Sequence, residues 1–60
     1  MKKLRCKKEY GTWYYNKVMP DGDLEFPIYE LFNENKMLIS TFVYYQNMIY
    51  YVKTGVNLED

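Results

Sequence analysis

Cys6 is the only cysteine in this chain of 60 residues, and there is no histidine. That pair of facts limits the fold more than any other. A chain of this size buries only about 60% of its unfolded surface, so small folds usually lean on disulfides, a metal or a partner. One thiol cannot close a disulfide within the chain, and a metal site without histidine has few ligands to draw on. Efficient packing or self-association remains. Twelve aromatic residues, eight of them tyrosine, supply side chains large enough for both. We therefore expect a single domain over residues 1–60 with no cofactor. A lone thiol suits a reducing compartment, so the expected location is the cytoplasm.

The basic opening, MKKLRCKKE, is not followed by an apolar run, so it does not read as a secretory signal. Nothing approaches the roughly 18 apolar residues of a membrane span, and no membrane association is expected. Net charge is zero but unevenly spread: residues 1–20 balance to +5 and residues 21–60 to −5. The fold should carry a basic edge and an acidic remainder.

Local patterns order the chain into an α+β fold. Leu4, Cys6 and Tyr10 alternate with charged residues, which predicts a half-buried strand near 3–9, its lysines suiting a sheet edge. Gly11 permits a turn. TWYYNKVM is rich in strand-forming aromatic and β-branched residues and predicts a strand near 12–19. PDGD at 20–23 is a turn signal, which pairs that strand with one near 24–32, irregular around Pro27. A second hairpin joins it to a strand near 37–42. With Glu34-Asn35 as the turn, Leu31 opposes Leu38 and Tyr29 opposes Ser40. One face then holds Tyr29, Leu31, Leu38 and Phe42; the other holds Ile28, Phe32, Met37 and Ile39 with Glu30 and Thr41. Both faces are largely apolar, unlike a sheet with one side left to water.

YYQNMIYYVKTG, residues 44–55, fits a hairpin at Gln46-Asn47 poorly, because a primed turn favours Asn-Gly. On a helix, Tyr45, Met48, Ile49 and Val52 form one apolar stripe, Lys53 suits the last turn and Gly55 suits the stop. No good N-cap precedes Tyr45. The expected architecture is an antiparallel meander of about four strands packed by one C-terminal helix near 45–54. Its stripe lies on Tyr29, Leu31, Leu38 and Phe42.

Chemistry is sparse. Without histidine the usual general base is missing, Ser40 has no visible base beside it, and DGDLE lacks the spacing of a calcium loop. No enzyme, catalytic residue or metal site is expected. Surfaces are more informative. Trp13 and Tyr15 share one strand face and Tyr14 points the other way. A helix covers only one side of a sheet, so Trp13 or Tyr14 should be left exposed together with Phe32, Met37 and Ile39. Trp13, Tyr15, Phe32, Met37, Ile39 and Tyr50 are the candidate partner-binding residues; Lys3, Arg5 and Lys7 form the candidate basic edge.

These features suggest a small protein-interaction module whose partner is a second copy or a host protein. Residues with A/T-rich codons (Lys, Asn, Ile, Met, Phe, Tyr) fill 30 of 60 positions. That suggests an AT-rich bacterium, or a phage or mobile element whose accessory protein modulates a host or defence protein. The alternative is single-stranded nucleic acid binding, with Trp13, Tyr15 and Phe32 stacking bases and Lys3, Arg5 and Lys7 holding phosphates. Zero net charge weighs against it.

Overall fold

The computed structural model describes residues 1–19 and 26–60. Strands β1 (Lys2–Lys3), β2 (Tyr14–Val18), β3 (Ile28–Phe32) and β4 (Leu38–Phe42) are followed by one helix, α1 (Tyr45–Thr54). The strands pair antiparallel in the order β1-β2-β3-β4, a meander, and α1 lies against β3 and β4. The expected α+β architecture is thus the observed one. The PDGD turn and the start of the strand expected at 24–32 lie outside the described residues.

Alternation decides which strand residues meet the helix. Leu31 and Phe42 point toward α1 and are buried with its Met48 and Val52; Leu4 completes this core. Tyr15, Tyr29, Trp13, Ile49 and Tyr51 pack around it, half-buried. Tyr45 stands edge-on to both Tyr15 and Tyr29, at 5.9 and 5.6 Å between ring centres. That geometry suits aromatic quadrupoles, but Tyr45 lies at the margin of the stripe expected to face the core and stays 39% exposed.

The first strand is much shorter than its sequence pattern. Pairing stops after Leu4, whose N–H donates to the Trp13 carbonyl at 2.8 Å. The chain then curls through a 3-10 helix at Lys8–Tyr10. The Trp13 indole N–H donates to the Tyr10 carbonyl at 2.6 Å, and Gly11 adopts φ 85°, a left-handed value that glycine accepts freely. Curling lets Cys6 and Tyr10 reach the core beside Leu4. A straight strand would have carried them away from it.

The β3–β4 register also departs from expectation. Tyr29 faces Phe42 and Leu31 faces Ser40, while Phe32 faces Leu38. Two extra residues cause this. Glu34 and Asn35 do occupy the turn, with Lys36 N–H donating to the Asn33 carbonyl at 2.9 Å. Lys36 then takes φ 63° and lengthens the loop, so that Asn33 bonds Met37. The Asn33 side chain fastens the loop by accepting from the Asn35 and Met37 amides. Ile39 is the second extra residue, a bulge between Leu38 and Ser40. The consequence is a correction: Leu38 leaves the helix-facing side and is 54% exposed.

α1 has the predicted bounds and ends as expected at Gly55, with φ 78° and its N–H on the Tyr51 carbonyl at 2.7 Å. Its start is satisfied from a distance. Glu59 accepts the Val43 and Tyr44 amides at 2.6 and 3.0 Å and the Asn47 side-chain amide at 2.9 Å. Asn57 braces the tail, accepting the Glu59 N–H at 3.0 Å and reaching the Ser40 hydroxyl at 3.4 Å. Partial burial pushes the Glu59 carboxyl upward, but the three hydrogen bonds outweigh it and hold the group below the ordinary carboxylate range.

Candidate functional site

With α1 on one side, the other side of the sheet has no covering element among the described residues. Strand register sets its contents in rows. The first row crosses Lys3, Tyr14, Phe32 and Leu38; the second crosses Asn16, Glu30 and Thr41; the third holds Val18 and Ile28. Val18 and Ile39 are 41% and 39% exposed, while Tyr14, Ile28 and Phe32 are half-buried. Met37, in the loop beside Leu38, is 61% exposed. Lys36 reaches back over this face and places its Nζ 5.5 Å from the centre of the Tyr14 ring. That is a cation–π contact, and Lys3 is the cross-strand backbone neighbour of Tyr14.

The candidate residues divide among three places. Phe32, Met37 and Ile39 gather at one end of the uncovered face. Trp13 and Tyr15 sit on the opposite side, half-buried against the core. The exposed-face aromatic is Tyr14, the other branch of the sequence reading. Tyr50 is 43% exposed on the outer side of α1 and shares no surface with Phe32. Lys3 lies in the edge strand, and Arg5 and Lys7 are exposed in the loop after it, so the basic strip borders β1.

Sequence reasoning placed Glu30 on this face, left Tyr14 and Trp13 as alternatives for its exposed ring, and missed Leu38 and Lys36. Leu4 opposite Trp13 is a usable signal for choosing Tyr14, because a buried leucine beside the edge strand marks the core side. No local signal announces the Ile39 bulge that turns Leu38 outward. A second feature was also missed. At the far end of β3 and the start of α1, Phe26, Pro27, Tyr29, Val43, Tyr44 and Tyr45 line an open aromatic cleft of ≈ 360 Å³.

Among the described residues, no three histidine, cysteine, aspartate or glutamate side chains cluster to hold a metal ion. No described helix is long and apolar enough to cross a membrane. Comparison with protein-family models, curated proteins and solved structures finds no match to this chain. The fold and the face define a small α+β protein in which one sheet surface, with apolar rows on either side of a polar one, has no covering element among the described residues.

Proposed function

We propose that this chain is a non-enzymatic protein-interaction module that docks through its uncovered sheet face. One observation carries the reading: Leu38, Ile39 and Met37 are exposed on or beside one end of the face, next to the rings of Tyr14 and Phe32, and Val18 is exposed at its other end. An apolar patch rimmed by charge is the usual mark of a docking surface. Tyrosine and phenylalanine there add contact area at little rotamer cost. A cytoplasmic setting and an origin in a phage or mobile element complete the reading, supported by the lone thiol and the abundance of residues whose codons are A/T-rich.

The test compares wild type with Leu38→Asp, both as bait in host extract and against a differently tagged copy of the chain. Leu38 is exposed, so the variant should keep its fold, checked by circular dichroism. A polypeptide bound by wild type and lost with the variant supports the reading. Binding unaffected by the variant overturns it.

The nucleic acid reading keeps one favourable feature, the Tyr14 ring under Lys36 with Lys3 as its cross-strand neighbour. It loses Trp13 and Tyr15 as stacking rings on that face. Salt-sensitive binding of a labelled single strand, abolished by Tyr14→Ala, would favour it over protein docking.

A further inference from the structure

We infer that the uncovered face docks on a second copy of itself, with Lys36 of each copy pairing with Glu30 of the other. This rests on the interaction-module reading and names the partner of the same surface.

Charge within the face carries the argument. Glu30 stands in the middle row, half-buried between Asn16 and Thr41. Among the described residues, no side chain hydrogen-bonds or pairs with its carboxylate. A carboxylate placed centrally in a docking surface costs affinity unless the partner supplies a cation. The same face carries that cation one row away. Lys36 lies over Tyr14, and Tyr14 sits two residues, or roughly 7 Å, along β2 from the Asn16–Glu30 row.

The offset makes the face self-complementary. Consider a two-fold axis lying between two facing sheets, running across the strands between the first and second rows. It sets the Tyr14–Phe32 row of one copy over the Asn16–Glu30 row of the other. Each Lys36 then lies over the partner's Asn16, one strand or roughly 4.8 Å to the side of the partner's Glu30, a gap its flexible side chain spans, twice by symmetry as an isologous interface requires. Phe32, Leu38 and Ile39 are buried at the same time. Sheets pack face to face about 10 Å apart, with strands crossing at about 30°, a separation that a lysine and a glutamate reaching toward each other can bridge. Zero net charge removes the general repulsion that opposes association of identical chains. Three five-residue strands present a flat footprint on the order of 240 Å². The interface is therefore small by the standard of stable dimers, and a weak dimer, in rapid exchange with monomer, is expected.

Sedimentation equilibrium on the full chain tests this, with Glu30→Lys, Lys36→Glu and the double exchange compared at low and high salt. Wild type should dimerise more weakly as salt rises. Each single reversal should raise the dissociation constant by about tenfold or more, and the double exchange should restore it to within a few-fold. Far-ultraviolet circular dichroism confirms that each variant folds. A wild type that stays monomeric at every accessible concentration overturns the inference. The Leu38→Asp comparison with host extract still decides whether the face docks on another polypeptide. A dimer that ignores both reversals also overturns it, because association then uses another surface.

Discussion

Replacing Glu59 by alanine removes three hydrogen bonds from the start of α1: those of the Val43 amide, the Tyr44 amide and the Asn47 side chain. Losing a helix cap costs about 0.5–2 kcal/mol. Losing a negative charge near the helix N-terminus adds about 0.3–1 kcal/mol. Glu59 is only half-buried, so water recovers part of this, and about 2 kcal/mol is the expected total. For a domain near this size, each kcal/mol moves Tm by about 4–8 °C, which places the Glu59→Ala loss at roughly 8–16 °C. Glu59→Gln keeps one acceptor oxygen and should lose about half as much. The folded carboxyl titrates below its ordinary range. Its contribution is therefore complete above the unfolded pKa of about 4.3 and fades as pH falls through the lower folded value. Thermal unfolding followed by circular dichroism across this range should show wild type and Glu59→Gln converging in acid. Identical melting of wild type and Glu59→Ala at neutral pH would refute the cap. So would a wild-type advantage over Glu59→Gln that survives full protonation.

Three further outcomes follow from the core and the turns. Met48 is fully buried, so Met48→Ala should cost about 2–5 kcal/mol, against about 1.5 or less for Met48→Leu, measured by urea unfolding. Gly55 has φ 78° and open space where a Cβ would sit, so Gly55→Ala should cost about 1 kcal/mol through backbone strain alone. Trp13→Phe loses the indole bond to the Tyr10 carbonyl and should destabilise by about 1 kcal/mol, and wild-type tryptophan emission should shift to the red on unfolding.

The helix was legible because its signals are local. The stripe of Met48, Ile49 and Val52, with Lys53 and Gly55 behind it, lies within eight residues, and the structure uses each as its type suggests. Strand existence was legible for a similar reason, through aromatic and β-branched runs. Register was not. A φ of 63° at Lys36 has no compositional warning, since glycine or asparagine is the usual occupant, and the Ile39 bulge has none either. Together they moved Leu38 from the expected core to the surface. The shortened first strand reflects a tertiary choice, in which burying Cys6 and Tyr10 beside Leu4 outweighs the alternation that extended pairing would have used. The side of β2 that meets the helix was likewise settled by packing. Period-two reasoning separates Trp13 from Tyr14 but cannot say which of them lies inside. The missing N-cap before Tyr45 was a real gap in the local sequence, filled by Glu59 from the far end of the helix.

That cap also orders events in time. Glu59 lies 15 residues after Tyr44, whose amide it receives. During synthesis, the sheet and the whole of α1 emerge before the carboxylate that completes the helix start. Until Glu59 emerges, the Val43 and Tyr44 amides have only solvent to satisfy them. The start of α1 should therefore lock onto the sheet only once residues 57–59 are available to it.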